Sequence, residues 1–248
     1  MFTEEERDDY SFRDLLTGPA DLDPYKKLFK RNAAARRPGV LEWKYNENPS
    51  PAGGTALIAE ATQVQDDWDD AYGALYAAMG VDFWINGQVV PASQSLDTLT
   101  DTNHRRKGLF VDLAKAAYAR LQKKQVAMVY GFPNGNSHHG FRTKLAWDFL
   151  DPVPFKIRPL RTGYALKRLK IPLEGLDFSW PVLGKISDNN IIVNDCTTFG
   201  EEHDALWADI KKTIGVCVDR SATYLNWRLF KNPAQHKYKV LSAKRNGA

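Results

Sequence analysis

Arg105-Arg106-Lys107-Gly108-Leu109-Phe110 stands between a strand-like segment and VDLAKAAYARLQKK, a run with Leu113, Ala117 and Leu121 at helical spacing. The backbone N–H groups at a helix start lack intrahelical partners and sit at the positive end of the helix dipole, so they suit phosphate oxygens. Gly108 lets a ligand approach the backbone closely. Three neighbouring cations deepen the preference for a pyrophosphate. On the hexapeptide alone, a merely basic surface helix start stays open. Two other nucleotide readings fail, because neither GxxxxGK[ST] nor GxGxxG after a strand occurs.

Working outward, TALIAEATQV reads as a strand and QDDWDD as an acidic loop. Ala71 to Ile85 reads as a second strand, Asn86-Gly87 as a hairpin turn, and QVVPASQSLDTLT as the return, with Pro91 at a bulge or edge. Upstream, Asp21 and Asp23 can start a helix reaching about Arg37, and a second short helix carries LEWKY. Downstream come the strand VAMVYGF, the loop PNGNSHHG and a short helix FRTKLAW. Basic-tipped strands are expected from Phe149 to about Leu173, then a strand near Ile191–Asn194 and a helix EEHDALWADIKK. The hairpin before Arg105 excludes a simple alternating parallel sheet and leaves a mixed α/β fold.

Composition sets the class. Of 248 residues, 43% are hydrophobic, which is ample for a core. The opening MFTEEERDDY is unlike a secretory signal, no apolar run is long enough for a membrane span, and Cys196 and Cys217 lack metal spacing. A cytoplasmic protein without a metal or membrane partner is expected. Residues 1–100 hold 9 Lys+Arg against 17 Asp+Glu, and residues 101–248 hold 25 against 13. The basic part suits a polyanionic ligand, and no nucleic-acid-binding motif directs that charge to RNA or DNA. KIRPLRTGYALKRLK, with six cations in fifteen residues, reads first as a charged strand edge and second as a landing surface for an anionic acceptor.

Arg105-x-x-Gly108-x-Phe110 resembles the R-x-x-G-x-G/A pyrophosphate loop of the GNAT superfamily of acyl-CoA N-acyltransferases, at that family's position after the fourth strand and before the third helix. Phe141-x-x-x-Leu145-Ala146-Trp147 resembles its F-Y-E-K-L-G-F segment, and Tyr130 to Asn134 falls where its fifth strand ends. The resemblance implies a mostly antiparallel sheet flanked by helices over residues 10–165. It also implies acetyl-CoA (or another acyl-CoA) as cosubstrate, and direct attack on the thioester by a small-molecule primary amine in a ternary complex, an amino sugar or sugar nucleotide being one candidate. By the same resemblance, Arg105, Arg106, Lys107, Gly108, Leu109 and Phe110 hold the pyrophosphate. The backbone near Leu99 and Thr100 holds the pantetheine and the thioester oxygen, and Asn134 and Ser137 hydrogen-bond the pantetheine amides. Asp97 is the first candidate base, Tyr130 the candidate acid and His138 a reserve. Each also has a plainer reading: a surface Asp, a packed strand aromatic, a solvated helix start, and for Asn134 and Ser137 a turn and cap. Two departures stand out: Phe110 fills a position that is usually small, and Arg142 sits where many members carry the acid tyrosine. A homodimer is compatible with the family.

LEWKYNENP from Leu41 returns as LNWRLFKNP from Leu225, an offset of 184 residues, with Leu41/Leu225, Trp43/Trp227, Asn48/Asn232 and Pro49/Pro233 shared. A duplicated motif is the sequence sign of duplicated architecture. Residues 175–248 are therefore expected to form a partial, degenerate second GNAT-like unit without its own pyrophosphate loop. The alternatives are a non-catalytic GNAT-fold binding module, and a Fem-like aminoacyl transferase that would use transfer RNA.

Overall fold

Alternation along two neighbouring strands builds the main sheet. The computed structural model describes residues 7–17, 19–63, 71–152, 154, 162–163, 190–233 and 238–245. In β2 (Thr55–Ala61), Leu57 and Ala59 face one core while Ala56 and Ile58 face another. In β3 (Tyr72–Ile85), Ala74, Tyr76 and Ala78 join the first core and Leu75 and Ala77 the second. A sheet with both faces apolar needs cover on both. Helix α3 (Leu109–Lys123) covers the first face through Leu109, Leu113 and Leu121. Helices α1 (Asp23–Arg31) and α2 (Val40–Tyr45) cover the second through Tyr25, Leu28, Phe29 and Leu41.

The strand order is β1-β2-β3-β4-β5, with β1 at Tyr10–Asp14, β4 at Gln88–Thr100 and β5 at Met128–Gly131. All pairs are antiparallel except β4 with β5. Asn86 and Gly87 turn the β3–β4 hairpin with φ of 45° and 95°, the positive values this turn needs. Pro91 accepts at its carbonyl from the Ala127 N–H (2.9 Å), so its donorless nitrogen also points outward, just before β5 begins. A short strand β7 (Val216–Val218) pairs with Phe83–Ile85 of β3, beyond the reach of β2.

The first helix is shorter than expected, and the second, carrying LEWKY, is separate from it as its sequence suggests. The first stops at Arg31, Asn32 caps it, and Ala33 turns at φ 53°, so residues 32–39 form a connection. Helix α4 (Gly135–Lys144) starts within the expected loop PNGNSHHG, because Asn134 Oδ1 accepts from the Asn136 and Ser137 N–H groups. Further on are α5 (Glu201–Ile210) and α6 (Ala222–Leu225), the latter continued by a wider turn over Asn226–Phe230 that carries Trp227.

The chain divides into two compact units, Met1–Trp147 with Cys196–Val240 and Asp148–Asp195 with Leu241–Ala248. Residues 196–240, placed by sequence in the second span, thus group with the first. In the other unit, β6 (Ile191–Asp195) and β8 (Leu241–Arg245) pair antiparallel. The basic strands expected over 149–173 lie outside the described residues apart from a few positions.

Candidate active site

The site is the place where β4 and β5 part. Their parallel pairing runs from Ala92↔Met128 to Ser95↔Gly131 and stops. Beyond it β4 bulges: Ala77 pairs with Leu96 and Leu75 with Leu99, so Asp97 and Thr98 together oppose Tyr76. Asp97 takes φ 53°. A non-glycine residue in that region costs about 1–2 kcal/mol and persists where its surroundings hold it. Two cations do so here: Arg36 donates to Asp97 Oδ1 at 2.6 Å and Lys44 to Oδ2 at 2.5 Å. Burial works to raise the Asp97 pKa, but Lys44 and Arg36 outweigh it and hold the carboxyl below its ordinary range.

A cavity of about 240 Å³ opens in the gap, walled by Ser95, Leu96, Asp97 and Thr98 on one side and by Gly131, Phe132, Asn134 and Ser137 on the other. Phe141 and Trp147 also line it. A buried chain of polar groups braces this end of the cleft. Trp147 Nε1 donates to Tyr118 Oη (2.9 Å), the Tyr118 and Tyr76 hydroxyls meet at 2.9 Å, and Tyr76 donates to Ser95 Oγ (2.7 Å). Burial pushes the Tyr76 phenol well up and Tyr118 up to about 12. Replacing Tyr76 with Phe leaves Ser95 and Tyr118 short of a buried partner. We expect a loss of about 1–3 kcal/mol in chemical denaturation.

The RRKGLF segment folds as its sequence suggests. Arg106 (φ 65°) and Gly108 (φ 81°) are both left-handed, and Gly108 precedes the first residue of α3. The Val111 and Asp112 N–H groups close onto Gly108 O at 2.9 and 3.3 Å, leaving the N–H groups before them as the open donors of the helix start. Arg105 and Arg106 are exposed. Lys107 is tethered, its Nζ 2.9 Å from Tyr10 Oη. Arg7 had no sequence signal, yet it donates to Lys107 O (2.8 Å) and Asp112 Oδ2 (2.6 Å), matching a carboxylate that would otherwise repel phosphate. Phe110 turns inward, edge-on to Phe141 (5.2 Å), and does not obstruct the loop. Its ring fills the space over Gly140, where an added Cβ would lie 2.9 Å from Phe110 Cε1.

Other nominated residues divide. Asn134 and Ser137 line the cavity, and Asn134 caps α4 by accepting from the Ser137 N–H, the plainer of its two readings. Leu99 and Thr100 are back in register with β3, opposite Leu75 and Ala74, and the cavity wall is formed by the preceding residues 95–98. Tyr130 packs edge-on to Phe83 (5.1 Å) in a cluster with Trp43, Met79, Val81, Trp227 and Tyr224, and burial pushes its phenol up to about 12. His138 is exposed in the first turn of α4, beside Ser137. Sequence reasoning missed Arg7, Arg36, Lys44 and Tyr76, whose partners lie far away in the chain.

With this geometry in place, residues 40–149 match the family model of the acetyltransferase (GNAT) domain, a span that includes the bulge, the cleft and the RRKGLF loop. Among solved structures, glucosamine-6-phosphate N-acetyltransferase from Arabidopsis thaliana is 13% identical, with a TM-score of 0.44 over 60% of this chain and 99% of that one. An acetyltransferase from Trypanosoma brucei is 13% identical (TM-score 0.45; 60% and 100% covered). An aminoglycoside acetyltransferase from an uncultured soil metagenomic sample is 12% identical (TM-score 0.43; 60% and 97%). No curated protein matches. At such identities and scores, the family match and the cleft itself are what bear on function. No helix among the described residues is long and apolar enough to cross a membrane.

Proposed function

We propose that the protein is an N-acyltransferase that moves an acetyl group from acetyl-CoA to a primary amine of a small molecule, an amino sugar or sugar nucleotide being one candidate. The observation that carries this reading is the pairing of a basic, left-handed helix start with a gap between β4 and β5, inside the span matched by the acetyltransferase domain model. The pyrophosphate would lie on the open N–H groups before Val111, beside Arg105 and Arg106. The pantetheine would enter the gap, with Asn134 and Ser137 at its mouth.

The amine nitrogen attacks the thioester carbon, the C–S bond breaks, and CoA leaves as thiolate. The backbone of the Asp97–Thr98 bulge is where the developing oxyanion would be held. Proton transfer then has to be shared out. Asp97 is committed to two cations and held below the usual carboxylate range, so it accepts a proton poorly. Its proposed role is to shape the bulge, with the amine's proton leaving through water or His138. Tyr130, at about 12, is a weaker acid than an ordinary thiol near ~8.5, so the thiolate takes its proton from solvent.

A screen of primary amines with acetyl-CoA, read by thiol release, tests the reading; no turnover across the panel together with no acetyl-CoA binding would sink it. Arg105→Ala should weaken acetyl-CoA by about 1.5–3 kcal/mol in calorimetry, the worth of a charge-assisted phosphate contact. Once an acceptor is found, Asp97→Asn should lower turnover and leave the shape of the pH profile in place. A lost acidic limb, the rise in rate as a base gives up its proton, would return Asp97 to the role of base.

We also propose that the C-terminal part is a partial repeat of the first. In chain order, β6, α5, α6 and β8 follow the pattern of β1, α1, α2 and β2 with the short strand β7 added between the two helices, and Val193↔Ala243 pairs much as Phe12↔Ala59 does. That order supports the reading drawn from the two Trp motifs.

A further inference from the structure

We infer that the second Trp motif acts on the cleft: Trp227 is a positioning residue that, through Trp43 and Lys44, fixes the Asp97 bulge. The inference rests on the acyl-transfer reading above and adds a role for the C-terminal segment. Trp43 and Trp227, equivalent positions of the two motifs, stack at 4.6 Å between centroids with 18° between planes. Each indole N–H donates to the other residue's carbonyl oxygen, 2.9 Å in both directions. The exchange pins the Trp43 carbonyl, which is joined directly to the Lys44 nitrogen. A lysine side chain is long and mobile, so where its ammonium comes to rest depends on how firmly its backbone is set.

Here that ammonium grips Asp97 Oδ2 at 2.5 Å, at the left-handed residue of the bulge. The same cluster touches both strands of the gap, because Leu96 of β4 and Tyr130 of β5 pack against the group formed by Trp43, Met79, Val81 and Trp227. Arg228, the counterpart of Lys44 in the second motif, covers the Trp43 ring at 5.6 Å and so leaves Lys44 to the carboxylate. A purely structural stack would have no reason to end on the strained residue of the cleft.

The test uses the full chain and two probes in calorimetry. ADP reports the pyrophosphate loop alone, and acetyl-CoA reports the loop and the bulge together. Trp227→Phe keeps an aromatic ring and loses the N–H donor, while Lys44→Met breaks the grip directly. Each should weaken acetyl-CoA about tenfold and ADP less than twofold. If Trp227 acts through Lys44, the double variant should be no worse than Lys44→Met. Lys44→Arg should restore most of the affinity. Unchanged acetyl-CoA affinity in Trp227→Phe, additive losses, or a parallel loss of ADP would each overturn the inference. Failure of the wild type to bind acetyl-CoA would instead overturn the acyl-transfer reading beneath it.

Discussion

A chain ended near Arg168 is expected to aggregate, although it keeps the whole loop and cleft. Ending there removes Val218, Tyr224 and Trp227 from the cluster that includes Trp43, Met79, Val81, Phe83 and Tyr130. Trp43 is now 4% exposed and Trp227 2%. A large aromatic side chain buries about 150–250 Å² at about 25 cal/mol per Å², so losing one Trp and uncovering another costs on the order of 8–12 kcal/mol as an upper bound. That rivals the whole stability of an ordinary domain, about 5–15 kcal/mol. Losing β7 also strips Phe83–Ile85 of a strand partner and leaves an apolar edge open to pairing. Size-exclusion chromatography and thermal unfolding check this. A monomeric, cooperatively folding short chain that binds acetyl-CoA like the full one would make residues 169–248 dispensable.

Gly108→Trp is expected to abolish acetyl-CoA binding while the fold survives. The residue is exposed, so the substitution disturbs little of the core. At φ 81° any side chain is strained, at a cost of about 1–2 kcal/mol. An added Cβ would lie 3.5 Å from Asp112 Oδ2 and 3.7 Å from an Arg7 guanidinium nitrogen, so the indole must spread over the open N–H groups of the helix start. Affinity should fall at least a hundredfold, about 2.7 kcal/mol or more, against the smaller loss in Arg105→Ala. Calorimetry with circular dichroism on the same samples separates lost binding from lost folding. Undiminished binding would move the pyrophosphate elsewhere.

The features legible in the sequence are those fixed by neighbours in the chain. Helix α3 follows from Leu113, Ala117 and Leu121, and the β3–β4 hairpin from Asn86-Gly87, which take the expected positive φ. The loop at 105–108 was readable because a helix start is a local device. Short strands were not: β1 and β7, five and three residues long, are strands only because β2 and β3 offer them edges. The end of α1 after Arg31 is marked by a left-handed Ala33, a conformation that an alanine in sequence does not announce. The bulge was the least visible feature. Asp97 reads as a candidate base from its position, yet its character comes from Arg36 and Lys44, 61 and 53 residues away. Tyr130 reads both as a candidate acid and as a packed strand aromatic, and its place beside Phe83 is the packed one, in a cluster that residues of the C-terminal segment complete.

The contact between Phe110 and Gly140 ties two motifs into a single evolutionary variable. Glycine or alanine at position 110 would remove the ring that fills the space over Gly140, and a larger residue could settle there. With phenylalanine at position 110 even one methyl group at position 140 would meet the ring at 2.9 Å, so the ring would have to shift. Among the descendants of this chain's ancestor, the sizes of residues 110 and 140 should therefore trade off against each other. A substitution at either should be accepted only in backgrounds where the other has already changed.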